Sequence, residues 1–177
     1  MRIVGGQYKG RRISVYNNFK ARPTTDFAKE SLFNIIANYF HFEDLSVLDL
    51  FSGTGSISFE FASRGSYKIN AVEKDFRSAK FIRQVAQDLG IETISVYNLD
   101  AFKFISQGGQ SYDIVFADPP YDLNGIESIP NLITQYKLVN KHGWFILEHS
   151  KTYNFTSYFG FREVRNYGSV HFSIFEF

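Results

Sequence analysis

Cysteine is absent from the 177 residues. That excludes disulfides, cysteine-ligated zinc, iron–sulfur clusters and a thiol nucleophile, and it suits a cytoplasmic protein. No run approaches the roughly 18 consecutive apolar residues that a membrane span needs, so no membrane partner is expected. The opening Met1-Arg2-Ile3-Val4-Gly5-Gly6 has no long apolar run behind a basic start, so no secretory leader is expected. The four histidines His41, His142, His149 and His171 are scattered without metal-ligand spacing, so no metal is assigned. Net charge is also scarce, at +1.

Hydrophobic residues make up 44% of the chain and aromatics 18%, which is ample for a packed core and too apolar for a disordered chain. The length suits one domain spanning 1–177, expected as a monomer. The small net charge hides an asymmetry. Residues 1–30 hold seven bases (Arg2, Lys9, Arg11, Arg12, Lys20, Arg22 and Lys29) against two acids, Asp26 and Glu30, a balance of +5 that leaves −4 for the rest. A basic arm over 1–26 on a near-neutral body is one footprint of a nucleic-acid binder; a solvated, flexible terminus is the other reading.

Two short apolar stretches, Arg2-Ile3-Val4 and Ile13-Ser14-Val15, flank turn-like residues and suggest a small hairpin or extended arm. Pro23 before Thr24, Thr25 and Asp26 is a helix-start signal with several possible N-caps. Leu32, Ile35, Ile36, Tyr39 and Phe40 then trace one helix face. From residue 46 short apolar runs alternate with helical stretches. Strands are expected at 47–50, 69–73, 93–97, 112–117 and 144–148, and helices at 57–63, 75–89 and 101–106. A weaker helix over 126–136 is interrupted by Pro130. Such alternation implies βαβ units, an α/β class and a mostly parallel sheet, with 46–177 as the catalytic core. The end, 161–167 and 170–177 around Gly168-Ser169, reads as an antiparallel hairpin closing the sheet.

Val47-Leu48-Asp49-Leu50-Phe51-Ser52-Gly53-Thr54-Gly55 reads as strand, glycine loop and helix start. Its glycines allow a tight turn and close approach to a ligand, and the first helical N–H groups can hold an anionic group. The dinucleotide fingerprint requires a glycine where Ser58 stands, and Asp49 would repel a pyrophosphate, so a nicotinamide cofactor is disfavoured. Glu73, ending the second strand, could accept both hydroxyls of a ribose. Asp100, past the third strand, could meet an adenine amine or a backbone N–H. Singly these are an ordinary turn, a solvent-facing strand end and a helix N-cap. In order, at the ends of successive strands, they point to an adenosine-containing ligand.

The fourth strand runs into Asp118-Pro119-Pro120-Tyr121. The prolines fix φ and leave backbone carbonyls without competing local N–H groups, so Asp118 and the Pro119 carbonyl become rigid acceptors. Tyr121 adds a flat face. Methylation of a planar amine needs such a set: acceptors that grip its N–H groups favour the nucleophilic form and stabilise the positive charge that develops. A base in folded RNA would have to be flipped into this pocket.

With these residues the chain resembles the bacterial small-subunit (16S) ribosomal RNA guanine-N2 methyltransferase family, within the Rossmann-like methyltransferases. Asp49–Gly55, Glu73, Asp100 and Asp118–Tyr121 carry the general class. Met1–Gly6, Lys9-Gly10-Arg11, Arg22-Pro23-Thr24-Thr25-Asp26, Leu32-Phe33-Asn34, Glu60, Ser63-Arg64-Gly65 and Tyr167-Gly168 carry the narrower family. The resemblance implies a three-layer fold with seven strands, the last antiparallel, and a small N-terminal hairpin extension. It implies S-adenosylmethionine as cofactor, with Asp49, Phe51, Gly53 and Gly55 at its methionine half, Glu73 at the ribose and Asp100 near the adenine. Asp118, Pro119, Pro120 and Tyr121 would face the guanine. Arg2, Lys9, Arg11, Arg12, Arg22 and Thr24 would lie toward 16S ribosomal RNA in the small subunit, the implied partner, with the Arg22-Pro23-Thr24 segment near either the cofactor or the RNA. The chain departs from the family at Phe27-Ala28-Lys29-Glu30, where Arg-Val-Arg-Glu is commoner, and at Ser56-Ile57-Ser58, where Ala-Leu-Gly is commoner.

Rival readings are a DNA or RNA adenine-N6 methyltransferase, which uses the same acidic loop, and a non-catalytic RNA-binding assembly factor, which would have lost one of the two loops. A protein-glutamine methyltransferase would more often carry Asn at position 118. Glu60 is read either as held by the N-terminal segment or as a solvated helix acid. Arg64 reads as an RNA contact or as a helix C-terminal charge. Glu148-His149 is assigned a structural role and Trp144 a place in the core.

Overall fold

The computed structural model describes residues 1–15 and 25–177. Arg22 and Thr24, and with them Lys20 and Pro23, lie outside the described residues. Seven strands form one sheet: β1 (Ser46–Leu50), β2 (Lys68–Val72), β3 (Ile94–Tyr97), β4 (Tyr112–Ala117), β5 (Val139–His149), β6 (Phe161–Tyr167) and β7 (Val170–Glu176). Their order is β3-β2-β1-β4-β5-β7-β6. β1 to β5 pair in parallel, and β7 is antiparallel to both β5 and β6. The chain winds outward from β1 in one direction and from β4 in the other. The switch point, where ligands bind in sheets of this kind, therefore lies between β1 and β4.

Among the described residues five α-helices flank the sheet: α1 (Asp26–Ala37), α2 (Ser56–Ser63), α3 (Phe76–Leu89), α4 (Ala101–Gln107) and α5 (Ile129–Gln135). Strand alternation divides the core in two. Val47, Ile114, Phe116 and Ile146 face Phe33 and Phe61, from α1 and α2. Leu48, Val115, Phe145 and Leu147 face Ile105 and Ile133, from α4 and α5. This is the three-layer arrangement that the alternating pattern implies.

Three element readings are corrected. α1 starts as expected, with the Thr25 side chain accepting from the Ala28 N–H at 3.2 Å, but it stops at Ala37. The Asn38 N–H turns onto the Ile35 carbonyl, and Tyr39 and Phe40 leave the helix to pack at 4.9 and 5.0 Å from Trp144. Pro130 does not interrupt a helix. It sits in the first turn of α5, where its missing N–H costs nothing. β5 is longer than its apolar run because it begins in the polar segment from Val139.

The described N-terminal residues fold back through an antiparallel bridge, Arg2 to Arg12. They are not a solvated tail. Ile3 and Val4 are buried, and α2 supplies polar anchors for the segment from Val4 to Tyr8. The Val4 N–H donates to Glu60 at 2.9 Å, and the Tyr8 N–H donates to the Ser63 hydroxyl at 2.9 Å. Lys29, one of the seven bases of residues 1–30, is buried. Its ammonium donates to the Arg2 carbonyl at 2.6 Å and to the Ser56 hydroxyl at 3.0 Å, with Glu60 at 3.8 Å. Glu60 is thus held by the N-terminal segment. Arg64 is the C-cap of α2, the helix end where one reading placed its charge, and it turns inward: it pairs with Glu60 at 3.1 Å and lies 4.9 Å from the centre of the Phe33 ring.

Candidate active site

The glycine loop leaves β1 at the switch point. Asp49 is buried on the α2 side of the sheet. Its Oδ2 accepts from the Ser58 N–H at 3.2 Å and from the Ser58 hydroxyl at 2.5 Å. The serine that breaks the dinucleotide fingerprint therefore ties the strand end to the third residue of α2. Burial pushes the Asp49 carboxyl up to about 7 despite these two bonds. Phe51 takes a left-handed conformation, φ +60°, which is costly for a side chain with a Cβ and is a mark of functional loops. Its ring meets Phe102 edge-on at 6.1 Å, so two aromatic walls rise beside the loop.

Gly55 caps α2 at φ +77°, and a Cβ there would stand 2.9 Å from the Phe59 ring and 3.0 Å from Ile82. Gly53 is different: a Cβ on it would meet nothing nearer than the Phe51 carbonyl at 3.9 Å, so it faces open space. Gly55 packs the helix and Gly53 leaves room for a ligand. Gly55→Ala is expected to cost about 2 kcal/mol of stability, from the φ penalty plus the contact, and to weaken cofactor binding. Urea unfolding and cofactor titration check this; an unchanged midpoint would show that the loop relaxes around a methyl.

Glu73 lies just past β2 and is half-buried. Its Oε2 accepts from the Gly53 N–H at 2.7 Å and its Oε1 from the Asp75 N–H at 2.7 Å. Burial pushes its carboxyl up, against those two bonds. It clasps the glycine loop, and each oxygen keeps a lone pair for a hydroxyl. Asp100 is the N-cap of α4, accepting at Oδ1 from the Phe102 N–H at 3.1 Å and the Lys103 N–H at 3.3 Å. Burial acts upward on its carboxyl, but these bonds and Lys74, 3.3 Å from Oδ2, hold it below the ordinary range.

Asp118 leaves β4 beside the glycine loop. The β4–β5 register pairs Ala117 with Leu147, which sets the next residues, Asp118 and Glu148, side by side at the carboxyl edge. Glu148 is buried. Burial, then the carboxylates of Glu148 and Asp49, push the Asp118 carboxyl well above the carboxylate range. Pro119 is buried and Pro120 exposed, and Tyr121 is 46% exposed. The Pro120 carbonyl finds a local donor, the Leu123 N–H at 2.9 Å, which closes the turn. The site thus brings together Asp49, Phe51, Gly53, Gly55, Glu73, Asp100 and the segment from Asp118 to Tyr121.

Arg2, Lys9, Arg11 and Arg12 stand apart on the exposed side of the N-terminal segment. Arg2 is engaged by Asp26 at 2.9 Å, and Arg11 lies 5.8 Å from the centre of the Tyr8 ring. Sequence reasoning missed Phe102, which had only its place two residues after Asp100 to mark it. It also gave Glu148 no part in the site. His149 does have a structural place, with Nδ1 2.8 Å from the Ser150 carbonyl and Nε2 2.8 Å from the Ser173 hydroxyl.

Residues 1–176 match the family described as conserved hypothetical protein 95. Ribosomal RNA small subunit methyltransferase D of Haemophilus influenzae is 32% identical over 155 residues, spanning 85% of this chain and 79% of that one. Its namesake from Buchnera aphidicola, subspecies Baizongia pistaciae, is 28% identical over 87% of this chain and 78% of its own. Among solved structures, the yhhF protein of Escherichia coli superposes with a TM-score of 0.87 at 27% identity, covering 99% of this chain and 97% of that one. With an intact glycine loop and acidic loop at the switch point of a seven-stranded sheet, the chain belongs to this family of Rossmann-like methyltransferases.

Proposed function

We propose that this protein transfers a methyl group from S-adenosylmethionine to the exocyclic N2 amine of a guanine in 16S ribosomal RNA of the small subunit. One observation carries the reading: Asp118, on its proline-stiffened loop, stands beside buried Glu148 and next to the glycine loop. The names of the relatives supply the ribosomal RNA.

The residues present suit the cofactor. Gly53 opens onto free space, Phe51 and Phe102 offer apolar walls for a flat ring, and Glu73 keeps lone pairs for ribose hydroxyls. Asp100 retains Oδ2, opposite an exposed lysine, for the adenine end. Asp49 acts through Ser58 by setting the angle at which α2 leaves the loop. S-adenosylmethionine supplies the methyl carbon, whose bond to sulfur breaks as its bond to N2 forms.

The chain's own part is to hold the acceptor. An exocyclic amine delocalises its lone pair into the ring, and hydrogen bonds from its N–H groups to the Asp118 carboxylate and the Pro119 carbonyl localise that pair on N2. The same oxygens stabilise the positive charge that N2 gains, in a partly buried place where such interactions are strong. One N2 proton then leaves. A carboxylate held above its usual range takes a proton more readily than a free one. Tyr121 stacks on the guanine. Lys9, Arg11 and Arg12 meet phosphates, with Arg2 after it parts from Asp26. Arg22 and Thr24 are proposed toward the RNA from the sequence alone.

The pH profile follows from this assignment. Turnover needs ionised Asp118, so kcat/KM rises as pH climbs through its raised pKa, and the acid limb lies above the ordinary carboxylate range. Glu148→Gln removes the stronger of the two neighbouring negative charges and makes Asp118 easier to ionise. The limb is expected to move toward lower pH, read from kcat/KM between about pH 5 and 9. A limb that stays put or moves upward would separate Glu148 from Asp118.

Methyl transfer from labelled S-adenosylmethionine to small subunits from cells lacking this protein, with digestion to nucleosides, tests the whole reading. Label in N2-methylguanosine is the expected result. Label in N6-methyladenosine would keep the site chemistry and overturn the acceptor.

A further inference from the structure

An aromatic pair, one ring exposed and the other partly buried, stands at the rim of this site. Phe27, the second residue of α1, is 69% exposed, an unusual setting for so large an apolar ring. It meets Tyr167, the last residue of β6, edge-to-face at 5.9 Å. Tyr167 lies 6.1 Å from Phe172, and Phe172 pairs in register with Glu148. Phe172 also lies 6.3 Å from Phe116, two residues before Asp118 on the same face of β4. A continuous aromatic path thus runs along the α1 side of the sheet, from the surface to the paired carboxylates. At the β6–β7 end Tyr167 pairs with Val170, beyond Phe172 toward the carboxyl edge of β5. The exposed Phe27 ring and the partly buried Tyr167 ring therefore flank the carboxylates on the β5 side. On the same face of β6, two residues before Tyr167, the half-exposed Arg165 is tied to Glu163 at 2.5 Å.

We propose that Phe27 and Tyr167 form a stacking platform for an RNA base adjacent to the target guanine; this rests on the RNA reading of the active site. A guanine in the Asp118 pocket arrives on a strand, and its covalent neighbour must pass the rim. An exposed ring accepts any base by stacking, without reading its identity. Arg165 stands where it can meet the phosphate between the two nucleotides.

The test uses the full chain with small subunits from cells lacking the protein. Phe27→Ala is expected to raise KM for subunits about tenfold, with kcat and affinity for S-adenosylmethionine within about twofold of wild type. Because Phe27 is so exposed, its removal should leave the melting temperature nearly unchanged. Phe27→Trp should restore KM, and its indole emission should change when subunits are added. Unchanged KM in Phe27→Ala, or a fall in kcat alone, overturns the platform while wild-type label in N2-methylguanosine keeps the guanine reading. Wild-type protein that labels no nucleoside removes both.

Discussion

Asp118→Ala is expected to lower kcat about a hundred- to a thousandfold while the dissociation constant for S-adenosylmethionine changes by less than about threefold. The two effects separate because the residues proposed for the cofactor are anchored elsewhere. Glu73 clasps Gly53, and Asp49 holds Ser58. In the proposed reaction Asp118 faces the amine, whose charge changes, so its interaction would strengthen in the transition state and count toward kcat. Removing it also relieves repulsion among three carboxylates, so the variant should be no less stable than the parent. Single-turnover transfer to small subunits and cofactor titration, run on the same preparation, give both numbers. Lost cofactor binding would place Asp118 in the wrong role, and near-normal turnover would move the acceptor function to another residue.

Glu60→Ala is expected to cost about 3–5 kcal/mol of folding stability, a large share of what a domain of this size has. Glu60 is fully buried and serves three partners from separate segments. The Val4 N–H lies at 2.9 Å, Arg64 at 3.1 Å and the Lys29 ammonium at 3.8 Å. Taking away the carboxylate strands a buried lysine whose proton is already held less firmly than usual, chiefly through burial. It also frees a buried N–H. The N-terminal segment should detach before the sheet melts, seen as early loss of hydrogen-exchange protection at Val4 and Tyr8. Equilibrium unfolding in urea measures the cost, and a loss below about 1 kcal/mol would mean that Lys29 finds water or another acceptor. Methylation should suffer too, because Lys29 bonds Ser56 at the start of α2, directly after the glycine loop.

Local chemistry made the glycine loop, the Thr25 cap and the Asp118-Pro119-Pro120-Tyr121 turn legible. Each depends on neighbours a few residues apart: a φ that glycine tolerates, a hydroxyl near a helix start, a ring that fixes the chain. The alternation of apolar runs with helical stretches likewise implied a parallel α/β sheet closed by a hairpin. Ends of elements were less legible. Nothing local stops α1 at Ala37 instead of carrying it through Phe40; the pull is Trp144 on β5, far along the chain.

Long-range partners were decided only by the fold. Lys29 and Arg64 look in sequence like surface charges of an RNA-binding protein, yet both turn inward on Glu60, because the N-terminal segment docks on α2 and needs its buried carboxylate neutralised. Ser58 looks like a broken fingerprint until Asp49 is found on the same face of the sheet. Glu148 becomes a neighbour of Asp118 only through the register of β4 on β5. Composition and spacing carry chain-local preferences, and these determined the elements, the order of the loops and the class of chemistry. The charge state of Asp118, the burial of the Lys29–Glu60 pair and the meeting of Phe27 with Tyr167 arise from groups distant in sequence, whose energies exist only once packing has excluded water between them.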